Sequence, residues 1–165
     1  MPSPKTHPRV YKMQPNWLHF LVRKRAYVYS ILLLAISQMA AASEPDKLSC
    51  EIVALTILAE ARGEGKGGMY RIACVIKQRS LERKIPPDQV CLQPNQFATG
   101  TRKLLGSTAA PYAQKLAWHL MRGHSFQRQV IGFANHFCTR SAAPYWTKGQ
   151  KPTSVYGNHK FYRLR

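Results

Sequence analysis

One apolar stretch that ends among glycines constrains this chain most. Leu55–Gly65 contains two of the seven acidic residues of the whole sequence, Glu60 and Glu64. The pattern predicts a helix from about Ser49 to Gly63, with Asp46 or Ser49 as its N-cap. Val53, Ile57 and Ala61 recur at helical spacing around Glu60, which places its carboxyl on the face directed towards the core.

Two interpretations of Glu60 follow from this position. A carboxylate on a buried face costs free energy unless it is paired or protonated. It can therefore be a structural group, ion-paired with Arg62 or Arg71. Alternatively, burial and the negative end of the helix dipole favour the neutral acid, which is the form that a general acid needs. Spacing alone leaves both interpretations open.

The first 42 residues carry a targeting pattern. They contain six Lys and Arg residues and no acid, then an apolar run from Ala26 to Met39, then three alanines. The apolar run is too short to indicate a membrane span. The whole pattern predicts a secretory signal peptide over residues 1–42, cleaved after Ala42; the alternative is an uncleaved N-terminal anchor. Residues 43–165 are then long enough for one compact domain.

The charge balance indicates an anionic partner. The formal net charge is +18, and residues 1–42 contribute six of those charges, so the remainder carries +12. For a secreted or periplasmic protein we expect that partner to be the cell wall. The sequence has no pattern typical of a nucleic-acid-binding protein. We expect a monomer that contacts a membrane only through an uncleaved N-terminal segment.

Four cysteines lie after the predicted cleavage site, namely Cys50, Cys74, Cys91 and Cys138. An even number of cysteines in an exported chain favours at least one disulfide, with the pairing left open. The alternative is a set of buried free thiols that pack as small apolar side chains, especially Cys74 on a helix face.

The rest of the chain reads as α+β. A second helix is predicted from about Met69 to Glu82, with an apolar stripe on one side and Arg71, Lys77, Gln78 and Arg79 facing solvent. A loop follows over 90–97, and a third helix runs from Pro111 to about Arg122. A short strand is predicted over 130–134, and Gly157-Asn158 suits the turn of a hairpin. These elements predict a helical body with a small antiparallel sheet.

The inventory of reactive side chains favours a mechanism with one carboxyl group and no metal. The histidines and Cys138 fit no zinc-ligand spacing, so we expect no metal and no cofactor. Two-carboxylate glycoside hydrolysis needs a second acid across the scissile bond. Glu60 and Glu64 are a formal candidate pair, but a helix that breaks at Gly63 is poorly suited to hold them across one bond. After Glu64 the chain offers only Glu82 and Asp88.

Five segments together resemble a known family. In chain order they are Ala59-Glu60-Ala61-Arg62-Gly63-Glu64, the helix 72–79, the loop Val90-Cys91-Leu92-Gln93-Pro94-Asn95-Gln96-Phe97, the segment Phe133-Ala134-Asn135-His136-Phe137, and Tyr156-Gly157-Asn158-His159-Lys160-Phe161-Tyr162. They resemble the catalytic domain of SleB/CwlJ-type cell wall hydrolases, the spore-cortex-lytic family. The sequence departs from the family pattern at Gly65, Gln78 and Asn95.

This resemblance implies a lysozyme-like domain over 43–165 that acts on peptidoglycan. It implies cleavage of the glycan β-1,4 bond after N-acetylmuramic acid by a lytic transglycosylase mechanism, with Glu60 as the single general acid and base. Glu64 would orient the site or pair with Arg62. Together with Glu64, the expected substrate-binding residues are Gln96, Phe97, His136 and Tyr156.

Three other functions remain open from sequence. The protein could be an amidase that cleaves the bond between muramic acid and alanine. It could bind the wall without catalysis, or act as a basic toxin on membranes. The products released from purified wall separate the first from a transglycosylase, and the activity of a Glu60→Gln variant separates the second.

Overall fold

The computed structural model describes residues 44–165, so the predicted signal peptide lies outside the described residues. Within this range the helices are α1 (Lys47–Ala61), α2 (Gly65–Arg83), α3 (Pro87–Leu92) and α4 (Ala110–Met121). The strands are β1 (His136–Thr139), β2 (Ser154–Tyr156) and β3 (His159–Tyr162). Four short 3-10 turns join them in this region, at Arg62–Glu64, Arg102–Gly106, Arg128–Ile131 and Tyr145–Thr147. The prediction of a helical body with a small antiparallel sheet is confirmed. The loop predicted over 90–97 is wrong in its first three residues, because α3 extends to Leu92.

Helix α1 has a defined start and an early end. The Asp46 side chain accepts a hydrogen bond of 2.9 Å from the Ser49 backbone N–H, so Asp46 is the N-cap. The helix ends at Ala61, before the predicted Gly63, and a 3-10 turn carries the chain to Gly65. Gly65 has a φ of +68°, a conformation that glycine adopts readily, and α2 starts there instead of at Met69.

The core lies among α1, α2 and α4, with β3 packed on one side. Ile57 from α1, Ile76 from α2 and Leu120 from α4 are all at most 1% exposed, as is Phe161 from β3. Helix α1 contacts each of the other three helices. The apolar stripes predicted from helical spacing therefore supply most of the core.

The sheet has the strand order β1-β3-β2 and is antiparallel throughout. Tyr162 pairs with His136, and His159 pairs with Tyr156 across the turn at Gly157-Asn158. The hairpin is therefore where the sequence predicts it. The strand predicted over 130–134 is wrong, because Gly132 and Phe133 both have left-handed φ values, of +58° and +55°, which end any extended run. The strand begins at His136 instead.

Two polar residues of α2 are buried against expectation. Gln78 and Arg79 are each 4% exposed, although apolar spacing places them on the solvent face. Gln78 Nε2 donates to Glu82 Oε1 at 2.7 Å, and Arg79 Nε donates to the Asn135 carbonyl at 2.6 Å. Their burial is possible because each polar group has a partner.

The four cysteines are free thiols, so the prediction of at least one disulfide is wrong. Burial raises the pKa of Cys74 to about 12, and burial does the same for Cys91. Both groups are thus protonated and unreactive at neutral pH. They act as small apolar side chains, the alternative considered above.

None of the helices in residues 44–165 combines the length and the apolar character needed to cross a membrane.

Shortening a core residue of α1 should destabilise the fold. Ile57 is fully buried, and its replacement by alanine should lower the free energy of unfolding by about 2–5 kcal/mol. The same truncation at Leu48, which lies on α1 but is 55% exposed, is the matched control and should change it by less than about 0.5 kcal/mol. Urea denaturation followed by circular dichroism measures both values.

The free thiols can be counted chemically. Denatured protein alkylated without reductant should gain four adducts by mass spectrometry, one for each cysteine. Native protein at neutral pH should leave Cys74 unmodified, because that thiol is buried and its pKa is raised. A mass showing two or no adducts after denaturation would restore the disulfide hypothesis.

Candidate active site

Glu60 lies in the last turn of α1 and lines an open cleft of about 300 Å³. The opposite walls come from the loop that contains residues 95–98, from β1 and from the start of β3. We call this space the Glu60 cleft. Its lining residues are Glu60, Asn95, Gln96, Phe97, Ala98, Phe137, Cys138, Thr139 and His159. Glu60 is the acidic member of that set.

Glu60 is not ion-paired within the described part of the chain. Among residues 44–165, no Lys, Arg or His lies within salt-bridge distance of it. Arg62 donates to the Leu58 carbonyl, and Arg71 donates to the Gly67 carbonyl, so neither serves as its partner. The backbone N–H of Ala98 donates to Glu60 Oε1, which fixes one of the two carboxyl oxygens.

Arg79 is a buried residue of α2 that bonds to two segments of the cleft wall. Its Nε donates to the Asn135 carbonyl at 2.6 Å and its Nη1 donates to the Gln96 carbonyl at 3.2 Å. The guanidinium also lies over the Phe97 ring at 4.7 Å. Burial and the neighbouring Arg83 lower the pKa of Arg79 to about 10, against the opposing charge of Glu60. Arg79 therefore remains a cation at neutral pH and holds the loop and β1 together.

The loop that carries Gln96 and Phe97 is fastened at two further points. Arg83 donates to the side-chain oxygens of Gln93 and Gln96, the latter at 3.0 Å. Gly100 lies against α1, where a Cβ atom would stand 2.6 Å from the Leu55 carbonyl oxygen. Since only glycine fits that approach, the loop reaches close enough for Ala98 to bond Glu60.

Glu64 is fastened to the hairpin and not to Arg62. Its Oε1 accepts from the Asn158 N–H at 2.8 Å and lies 3.0 Å from Nδ1 of His159. The carboxyl group packs directly on Gly157, where a Cβ would stand 2.8 Å from Glu64 Cδ. Glu64 does not line the Glu60 cleft, but it contacts His159, which does.

His136 and Tyr156 also lie outside the lining of the cleft. His136 packs against Trp146 and places Nδ1 2.9 Å from Asn135 Oδ1. Burial, with help from Arg79 and Arg83, lowers the pKa of His136, so its ring is neutral at pH 7. Tyr156 lies under the Arg71 guanidinium at 3.7 Å. Of the predicted substrate-binding residues, the structure thus brings Gln96 and Phe97 to Glu60.

Arg79 and His159 are among the residues of the site that were not predicted from the sequence. Arg79 falls on the face that apolar spacing assigns to solvent, so periodicity carries no signal for it. His159 was interpreted as a strand residue beside a turn, although it belongs to the closing segment of the family resemblance. That membership is the one sequence signal that could have marked it.

Within residues 44–165, no group of three or more His, Cys, Asp or Glu side chains is placed to hold a metal ion.

Comparison with solved structures identifies the fold. The chain is similar to the catalytic domain of the SleB protein from Bacillus cereus, at 20% identity and a TM-score of 0.56, over 72% of this chain and 92% of that one. It is similar to the catalytic domain of the germination-specific lytic transglycosylase SleB from Bacillus anthracis at 21% identity and a TM-score of 0.56, over 72% and 96%. The fold is that of SleB catalytic domains.

The sequence then shows the family. The cell wall hydrolase family matches residues 63–162, which is more than half of the chain. The chain belongs to the cell wall hydrolase family, and it is an enzyme. The matched region begins three residues after Glu60. A comparison with curated protein sequences found no match.

Displacing the loop from α1 should impair activity without unfolding the protein. In Gly100→Ala the new Cβ meets the Leu55 carbonyl, which should move Ala98 away from Glu60 and slow wall hydrolysis by about tenfold or more. Gly106→Ala is the matched control, because a Cβ there meets nothing within 4 Å. Turbidity clearance of purified wall, with thermal unfolding of each variant, makes the comparison. Equal rates of wall hydrolysis in the two variants would show that the close contact between Gly100 and Leu55 does not affect activity.

Proposed function

We propose that this enzyme is a lytic transglycosylase of peptidoglycan that cleaves the β-1,4 bond after N-acetylmuramic acid, with Glu60 as its single general acid and base. The proposal is supported by the position of Glu60 and by its lack of an ion-pair partner. It is the acidic residue lining the cleft, and within residues 44–165 no cation pairs with it. A carboxyl group free of an ion pair can bind and release a proton during each turnover.

In this mechanism one carboxyl group acts twice, first as the acid that donates a proton and then as the base that accepts one. Oε1 of Glu60 accepts from Ala98, so Oε2 is the oxygen that carries the proton. It donates this proton to the glycosidic oxygen as the bond from muramoyl C1 to that oxygen breaks. The muramoyl C6 hydroxyl oxygen then bonds to C1, closing a 1,6-anhydro ring. Its proton passes to the Glu60 carboxylate, which restores the starting acid.

The surroundings of Glu60 suit a sugar substrate. Arg79 holds the Gln96 carbonyl at 3.2 Å and packs over the Phe97 ring, so it keeps both residues in place beside Glu60. Phe97 and Phe137, with ring centroids 6.1 Å apart, provide apolar walls against which sugar rings can pack. The related Bacillus anthracis structure is described as that of a lytic transglycosylase.

We further propose that the substrate is a glycan strand longer than the cleft itself. Gln96 and Phe97 would contact the sugars beside the scissile bond. Glu64, His136 and Tyr156 lie outside the lining of the cleft, so those that bind substrate directly would contact more distant units. The net charge of +12 on residues 43–165 would hold the enzyme on an anionic wall in a secreted or periplasmic setting.

Replacing the proposed acid should abolish turnover while keeping the fold. Glu60→Gln retains an oxygen that can accept from Ala98 but has no acidic proton. We expect the rate of wall hydrolysis to fall about 10²-fold or more, with an unchanged unfolding temperature. Glu44→Gln is the matched control, since Glu44 has a side chain 79% exposed and should leave the rate unchanged.

The products identify the bond. Mass spectrometry of soluble fragments from the wild-type digest should show 1,6-anhydromuramic ends. Muramic acid with a free reducing end would indicate a simple glycosidase, and newly free amino termini of alanine would indicate an amidase. Either of the last two results contradicts the proposed reaction.

A further inference from the structure

His159 is a buried histidine of the cleft that the proposed mechanism leaves unused. It is 6% exposed, and its ring lines the Glu60 cleft beside Phe137, with ring centroids 5.3 Å apart. It opens β3, directly after the Gly157-Asn158 turn. A histidine held this tightly at the wall of a cleft has one ring orientation, so the two ring nitrogens have different surroundings.

The nitrogen Nδ1 faces Glu64. Nδ1 is buried and stands 3.0 Å from Glu64 Oε1, at an angle that makes the contact electrostatic more than a directed hydrogen bond. Two lone pairs at that distance would repel, so the neutral ring is more stable with its proton on Nδ1 than on Nε2. A carboxylate beside one ring nitrogen sets the tautomer of the whole ring. In the neutral ring, Nε2 is then the unprotonated nitrogen.

Glu64 is itself held so that this contact cannot relax. The Asn158 N–H donates to its Oε1 at 2.8 Å. Its other oxygen, Oε2, is buried, and Cβ atoms at Gly68 and Gly157 would stand within 2.9 Å and 2.8 Å of it. Two glycines thus make room for this carboxyl group. The effect is to hold the Glu64 carboxyl group against His159, outside the lining of the Glu60 cleft.

The nitrogen Nε2 has no hydrogen-bond partner among residues 44–165. The ring otherwise contacts apolar faces, those of Phe137 and Phe161. A polar atom left unpaired at the wall of a cleft is a group that a ligand can satisfy. With Nδ1 protonated, the chemistry offered by Nε2 is that of a hydrogen-bond acceptor.

We infer that His159 is a substrate-binding residue whose Nε2 accepts a hydrogen bond from a hydroxyl group of the sugar in the Glu60 cleft. Glu64 is a positioning residue that acts through His159 by fixing its tautomer and ring orientation. The inference deepens the proposed function and rests on it only in taking a sugar as the ligand.

Binding to a variant that does not cleave tests this role separately from the reaction. The parent protein is Glu60→Gln, and the probe is a tetrasaccharide of alternating N-acetylglucosamine and N-acetylmuramic acid, measured by titration calorimetry. His159→Asn places an amide nitrogen near the position of Nδ1 and removes Nε2. His159→Gln reaches the position of Nε2 with an acceptor oxygen but loses the contact with Glu64.

We expect the dissociation constant of the Asn variant to rise about tenfold over the parent, and that of the Gln variant to rise less. Equal losses in the two variants, a larger loss in the Gln variant, or no loss in either would overturn the inference, because His159 would then serve only to hold Glu64 or the fold. These affinities do not depend on which bond the wild type cleaves, so a failed product analysis would leave the test standing.

A measurement on the unaltered histidine covers the case in which either His159 variant does not fold. In nitrogen-15-labelled Glu60→Gln protein, the Nε2 resonance of His159 should shift on addition of the tetrasaccharide, while the Nδ1 resonance stays nearly constant. An Nε2 resonance that does not move at saturating tetrasaccharide would overturn the inference.

Discussion

The buried guanidinium of Arg79 is the constraint on which the cleft depends. A charge that is 4% exposed must be compensated by close partners, and three such partners come from two separate parts of the chain. They are the Asn135 carbonyl just before β1, the Gln96 carbonyl of the loop, and the Phe97 ring. Satisfying one cation therefore places β1 and the loop at fixed distances from α2. Those two segments form most of the wall that faces Glu60, and His159 of β3 completes it, so much of the cleft geometry follows from this one requirement.

A second polar network, centred on Asn135, connects the start of β1 to α2 and to the C-terminal residues. Asn135 donates to Glu82 at 3.0 Å and to the Leu164 carbonyl at 2.8 Å, which ties α2 to the C-terminal residues. Burial of Glu82 opposes its ionisation, but hydrogen bonds from Gln78 and Asn135, with Arg163 nearby, lower its pKa. Glu64 makes a similar connection at the β2–β3 hairpin, where its bond to the Asn158 N–H joins the hairpin to the start of α2. The acidic residues are few, and Glu64 and Glu82 connect α2 to other parts of the chain, while Glu60 has no ion-pair partner within residues 44–165.

Much of the fold and part of the site could be predicted from local pattern. Apolar spacing around Ile57 and Ile76 identified core faces because a helix repeats every 3.6 residues and needs no distant information. The turn at Gly157-Asn158 was predictable because its conformation depends on the residues within it. The strand over 130–134 was not, since left-handed residues at Gly132 and Phe133 interrupt a run that looks extended by composition. The burial of Arg79 was missed for a different reason: its partners lie 17 and 56 residues away.

By itself the sequence determined helices α1, α2 and α4, the hairpin turn, the family and the choice of Glu60 as the proposed acid. Each of these depends on short-range spacing or on the order of recognisable segments. Only the tertiary structure decided that Glu60 is free of Arg62 and Arg71, that Glu64 contacts His159, and that Gln96 and Phe97 share the cleft with Glu60 while His136 and Tyr156 do not line it. The physical reason is that a polar side chain takes whichever partner the fold brings within about 3 Å, and sequence distance carries no measure of that approach.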